Sequence, residues 1–144
     1  MLDSLDDFER WGKDDDCAYV FPRGYRRERW SYQRVAGVAY QFARELEARN
    51  IAKGDAVLLW SPNCAEWVAA FLGCALCGVI AVPVDDAASP DFALRISAQV
   101  RTKLVLCPRD RRTCSGRSDR AIAGANPTLA LQGWWTSQPG AGLR

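Results

Sequence analysis

Histidine is absent from the 144 residues. That removes the side chain best suited to proton transfer at neutral pH, and it leaves cysteine and carboxylate alone as metal ligands. No serine stands in a nucleophile-elbow motif, so a hydrolase of that design is excluded as well. A strong charge bias is missing too. The formal net charge is +2, too small to argue for nucleic acid or an acidic surface as partner. An export signal is also lacking, because MLDSLDDFERW offers acids where a basic start and an apolar run are needed. Six cysteines without such a signal point to reduced thiols and a cytoplasmic protein, not to a disulfide framework. One stretch, 67–84, carries no charge over a length at the lower limit for a membrane span. Gly73, Gly78 and Pro83 interrupt it, and its flanks are Glu66 and Asp85, not lysine or arginine. A buried helix followed by a buried strand accounts for it without a transmembrane span.

What is present is a chain of one-domain length, 49% hydrophobic. Residues 1–16 form an acidic lead, and from Arg109 onward arginines outnumber Asp110 and Asp119. Both read as solvated ends. Between them the apolar pattern is regular. AYVF at 18–21, closed by Pro22-Arg-Gly24, predicts the first arm of a hairpin, and 26–30 the second. Ser31 reads as the N-cap of an amphipathic helix with Val35, Ala39, Phe42 and Leu46 on one stripe. Asn50 and Lys53-Gly54-Asp55 end it. AVLLW at 56–60 reads as a strand covered on both faces. Asn63 with Glu66 predicts a capping box for an apolar helix over 64–77, and Gly78 its left-handed cap. A second buried strand is expected at 79–84, an amphipathic helix at 90–100 and a third strand at 103–107. The fold class is therefore α/β: a partial doubly wound parallel sheet, strand–helix–strand–helix–strand, preceded by a hairpin and an amphipathic helix. Over 108–144 no period is sustained, which predicts an irregular, arginine-rich tail. There are no internal repeats.

Several constellations invite chemistry. Cys74 and Cys77 form a Cys-x-x-Cys, yet at the C-terminal end of their helix, where the dipole disfavours the thiolate that redox work needs. Cys64 lies about 15 Å away along that helix at 1.5 Å per residue, and Cys107 has no companion. Core packing is the reading that follows. The run Arg23-Gly-Tyr-Arg26-Arg27-Glu-Arg29-Trp30 interleaves basic and aromatic residues as single-strand grooves do, but it is short and reads as a solvated hairpin. Asp85-Asp86 follows a strand end where ligand sites occur, though adjacent acids diverge and a polar strand exit suffices. Thr113-Cys-Ser115-Gly116 lacks the Gly-Lys of a phosphate loop.

Taken in order, these pieces resemble the start of the adenylate-forming ligases, the AMP-binding superfamily. The resemblance rests on Trp30-Ser31-Tyr32, on Phe42-Ala43 and Leu46, and on Ile51-Ala-Lys53-Gly54-Asp55-Ala-Val57. It continues through Ser61-Pro62-Asn63-Cys64-Ala65-Glu66-Trp67 to Leu72-Gly-Cys-Ala-Leu-Cys-Gly78-Val-Ile-Ala-Val-Pro83-Val-Asp85. It covers about residues 15–107, with 17–107 as the N-terminal portion of the ligase domain. Arg34 departs from the first motif, where an acid is common.

Within the superfamily the chain is most similar to fatty-acid-type acyl-CoA synthetases. The resemblance implies ATP, magnesium and coenzyme A as the family's requirements and a fatty or other carboxylic acid as substrate. The family's phosphate loop and its later motifs find no match in this sequence. No catalytic, cofactor-binding or metal residue is therefore assigned. The expectation is an N-terminal fragment, inactive alone, binding no cofactor, its tail produced by truncation or a frame shift. A non-catalytic interaction or lipid-binding module is the alternative. Apolar edges at 57–60 and 79–84 would be left open to self-association.

Overall fold

A computed structural model describes residues 5–13, 15–23, 25–108 and 128–130. Part of the acidic lead coils into a short helix, α1 (Leu5–Trp11), which its composition did not announce. Phe8 explains its place. The ring is buried against the long helix α2 (Tyr32–Ala48) and meets Tyr40 edge-on, with 5.5 Å between centroids. The hairpin forms as expected from β1 (Cys17–Arg23) and β2 (Arg26–Ser31), paired antiparallel. Pro22 lies inside β1 opposite Arg27 and not in the turn. Ser31 caps α2, its Oγ accepting from the Arg34 N–H at 3.3 Å. Val35, Ala39, Phe42 and Leu46 are all buried, so the stripe read from spacing is the packed face.

The remainder is β3 (Ala56–Trp60), α3 (Ala65–Leu76), β4 (Ile80–Val84), α4 (Pro90–Val100), β5 (Leu104–Cys107) and β6 (Thr128–Ala130). All four strands run parallel in the order β4-β3-β5-β6. Side-chain alternation divides the core. Val57 and Leu59 of β3, with Leu104 and Leu106 of β5, meet α2 and α3 on one face. Leu58, Trp60, Val105 and Cys107 meet α4 on the other. Strands covered on both faces need no polar positions, which is why AVLLW and LVLC are continuous. The crossover through α3 carries the chain from β3 to β4 on one side. The crossover through α4 lies on the opposite face and returns it past β3 to β5.

Helices α2, α3 and α4 end in the same manner. The residues Asn50, Gly78 and Arg101 take left-handed φ of 57°, 65° and 53°. In each case the next residue donates back five positions: Ile51 to Leu46, Val79 to Cys74 and Thr102 to Ser97, at 2.9–3.0 Å. These are Schellman caps, and the residue after each is buried at the foot of the sheet. At α4 the usual apolar contact is replaced by a buried hydroxyl pair, Ser97 and Thr102, 2.6 Å apart.

Four expectations need correction. The N-cap of α3 is Cys64 and not Asn63, so the Asn63–Glu66 capping box does not form; Cys64 makes no side-chain cap bond. Second, β4 is an edge strand: Ile80 is 55% exposed and Pro83 is exposed, whereas a strand at 79–84 buried on both faces was predicted. Third, residues 57–60 are not an open edge, because β3 is flanked by β4 and β5 and Trp60 is 2% exposed. Fourth, the tail contributes a strand, β6, paired along β5. The rest of 109–144, including Thr113 to Gly116 and the Trp134-Trp135 pair, lies outside the described residues.

Candidate functional site

In open parallel sheets, ligands bind outside the strand C-termini where successive crossovers take opposite faces. Here that point lies between β3 and β5, beyond Trp60 and Cys107. Residues 61–64 and Pro108 border it. Ser61 is buried, and its hydroxyl donates to the Pro62 carbonyl at 3.1 Å. Burial pushes the Cys64 thiol up to about 11, so it is neutral at physiological pH. Glu66, wholly buried, occupies the first turn of α3. A carboxylate at the positive end of the helix dipole is favourable. It also means this N-terminus faces its own acid, and residues 61–64 carry no cation. Among the described residues, those bordering the crevice do not suit the phosphates of a nucleotide.

Asp85 stands at the end of β4. Its Oδ1 accepts from the Ala87 N–H at 2.7 Å and its carbonyl from the Ala88 N–H at 3.0 Å. The carboxylate is thus engaged in its own turn, as the polar-exit reading required. Among the described residues no group of three His, Cys, Asp or Glu could hold a metal.

Cys74 and Cys77 lie in the last turn of α3 and at its C-cap. Cys74 is 0% exposed, and burial, with a smaller contribution from Cys77, pushes its thiol up to about 12. Burial also raises Cys77, followed by the nearby Glu47, and its Sγ donates to the Ala43 carbonyl of α2 at 3.6 Å. Both thiols fill the α2–α3 seam. They do not make a redox pair.

A further concavity is an open cleft of about 420 Å³ lined by Asp15, Asp16, Cys17, Arg29, Trp30, Ser31 and Arg34. Beside it, Glu28 Oε1 accepts from the Trp30 Nε1–H and from Arg34 Nη2, each at 3.0 Å. The Arg34 guanidinium stacks 4.0 Å over the indole. Arg34, the departure from the family motif, therefore has a built partner in Glu28. Sequence reasoning missed this cluster. The signal was Glu28 and Trp30 two apart on one strand, which places them on the same side. Trp30 itself is fully buried, so the basic-aromatic run offers no indole for stacking.

A family model described as AMP-binding enzyme matches residues 8–137, which runs past the span of the resemblance read from the motifs. The long-chain-fatty-acid–CoA ligase FadD13 of Mycobacterium tuberculosis is 37% identical over 81 residues, covering 56% of this chain and 16% of that protein. The chain therefore spans about one sixth of this relative's length. A fatty acid AMP ligase from Legionella pneumophila superposes with a TM-score of 0.68 at 26% identity, over 89% of this chain and 23% of that one. VinN in complex with 3-methylaspartate gives a TM-score of 0.74 over 91% of this chain and 35% of that one; at 21% identity it speaks for the fold alone.

Proposed function

Since this chain belongs to the AMP-binding enzyme family, we propose that it is the N-terminal portion of a ligase that activates a fatty acid. The reaction expected of the whole enzyme has two displacements. A carboxylate oxygen attacks the α-phosphorus of ATP and pyrophosphate leaves; the thiol of coenzyme A then displaces AMP from the acyl carbon. The ordered motifs from Trp30 to Asp85, folded as one continuous unit, are the observation that carries this reading. The fatty-acid type rests on the relatives' names.

Residues 1–144 alone are proposed to be inactive. The crevice beyond β3 and β5 supplies an acid at α3 and no cation on its loop, whereas stabilising a transferring phosphoryl group needs positioned donors and cations. Cytoplasmic residence is part of the same reading, and no helix among the described residues is long and apolar enough to cross a membrane. Two measurements test it. Translation of the flanking nucleotide sequence in all frames is expected to continue into a Ser/Thr/Gly-rich loop followed by Pro-Lys-Gly. Purified chain, given ATP, magnesium and a series of fatty acids, is expected to release no pyrophosphate. Fatty-acid-dependent release would overturn the inactivity.

The outer side of α3 favours a second reading, a non-catalytic module. Trp67 and Phe71 stack with centroids 5.5 Å apart, Phe71 is 41% exposed, and Ala75 continues the stripe into solvent. An apolar stripe on a surface helix suits an interaction or lipid-binding role. A stable monomer that melts in one transition and binds no fatty acid would remove it.

A further inference from the structure

The hairpin carries a surface that neither the family nor the sheet accounts for. Cross-strand pairing sets Val20 opposite Arg29 and Pro22 opposite Arg27, while Phe21 pairs with Glu28 and Tyr19 with Trp30. Alternation puts the two sets on opposite faces. Phe21 packs on the main core and Trp30 is fully buried, so their face is the inner one. Val20, Pro22, Arg27 and Arg29 make the outer face, and all four are exposed. Tyr25 at the tip is fully exposed, and Arg26 beside it is exposed as well. The hairpin's only acid, Glu28, points inward to Trp30 and Arg34. Near Arg29 the cleft holds Asp15 and Asp16, so among the described residues the uncompensated charge is concentrated at Arg26 and Arg27.

From this arrangement we infer that the hairpin is a peripheral docking surface for anionic lipid headgroups. Arginine guanidinia suit phosphate esters, and arginine stems together with Val20, Pro22 and the Tyr25 ring can sink into the headgroup boundary. A single-stranded nucleic acid would also answer the charge. It needs a platform of several aromatic faces, however; the indole is buried, the outer face sets aliphatic Val20 and Pro22 opposite Arg29 and Arg27, and Tyr25 at the tip is a single ring. Complementary charge and apolar neighbours together favour the bilayer. Association of this kind is weak, reversible and dependent on anionic lipid.

Vesicle co-sedimentation of the full chain tests this. Binding is expected to mixed phosphatidylcholine–phosphatidylglycerol vesicles at low salt, to fall as salt is raised, and to be absent with phosphatidylcholine alone. Each arginine removed near an anionic surface weakens partitioning about fivefold, so Arg26→Gln with Arg27→Gln is expected to weaken it about 25-fold. Arg44→Gln with Arg95→Gln removes the same charge from exposed positions elsewhere and is expected to change binding little. Tyr25→Ser is expected to weaken binding while leaving its salt dependence in place. All five positions are exposed, so unchanged far-ultraviolet circular dichroism melts will show that the variants fold. Equal binding to neutral vesicles, equal loss in the two double variants, no binding at all, or tighter binding to a single-stranded oligonucleotide would each overturn the proposal.

Discussion

Gly73 of α3 rests directly on the Ala39 carbonyl of α2. A β-carbon built on Gly73 would lie 2.8 Å from that oxygen and 2.9 Å from Phe42 Cδ1. Both neighbours are fully buried, and one is backbone, so nothing nearby can swing aside. The close approach of α2 and α3 over the sheet depends on this missing side chain.

Gly73→Ala is therefore expected to destabilise. Overpacking costs about 1–3 kcal/mol, while alanine regains up to about 1 kcal/mol of helix propensity, leaving a net loss of roughly 1–2 kcal/mol. Urea unfolding followed by tryptophan fluorescence will measure it. An unchanged midpoint would mean that the helices separate freely.

The three left-handed caps make an internal control. Arg101 holds a conformation that costs a side-chain-bearing residue about 1 kcal/mol. Arg101→Gly is expected to raise stability by roughly 0.5–1 kcal/mol. Gly78→Ala should lose a similar amount, or more, because the new methyl would also meet Lys53 Cγ at 3.0 Å. Asn50→Gly is expected to change little, since asparagine tolerates this region. Thermal melts are the check, with the melting temperature of Arg101→Gly expected above that of Asn50→Gly and Gly78→Ala lowest.

The thiol of Cys74 ties stability to alkaline pH. Its folded value, about 12, lies above the ordinary 9.0, so the folded protein holds a proton that the unfolded chain gives up. The contribution is complete below about 9 and is lost as pH rises towards 12. Between those limits the slope is at most about 1.4 kcal/mol per pH unit. Cys74→Ala is expected to flatten the alkaline limb of stability against pH, though it lowers stability at neutral pH. At pH 8 a thiol reagent should modify Cys17, which is exposed, well before Cys74.

Pro83 governs association at the sheet edge. The Ile80 N–H donates to Asp55 at 2.8 Å, so alternation turns the N–H groups of residues 82 and 84 towards β3 and those at 81 and 83 outwards. Proline at 83 leaves the exposed edge without a donor at its centre. Pro83→Val restores that donor and is expected to increase self-association. Sedimentation velocity at matched concentrations will show a larger heavy fraction in the variant; an equal distribution would show that association proceeds through another surface.

The α/β pattern was legible because strands buried on both faces and an amphipathic α2 write themselves as runs and stripes. Ser31, Asn50 and Gly78 also announced themselves by type. Arg101 did not, because arginine has no preference for the left-handed region and only the chain's course after α4 imposes it. Helix α1 was hidden because one ring, Phe8, docks it among acids. Pro83 pairs with Leu59 inside β4, which reads from sequence as a buried strand; edge or centre is decided by strand order, which no local pattern encodes. The resemblance reached the family, while the Glu28, Trp30 and Arg34 cluster needed the hairpin folded onto α2.

The opposite ends of the sheet differ in how much change they can absorb. At the strand starts, three caps and the Asp55–Lys103 ion pair at 2.8 Å fix each chain reversal to the residue. Residues 61–64 and 85–89 join the other ends by loops without a left-handed cap, the second held by the Asp85 turn and the Ser89 N-cap. Lengthening a loop costs little, about 0.6 kcal/mol per doubling, so insertions will be accepted there and refused at the caps. One end of this unit keeps its shape, and the other is where descendants of a common scaffold can come to differ.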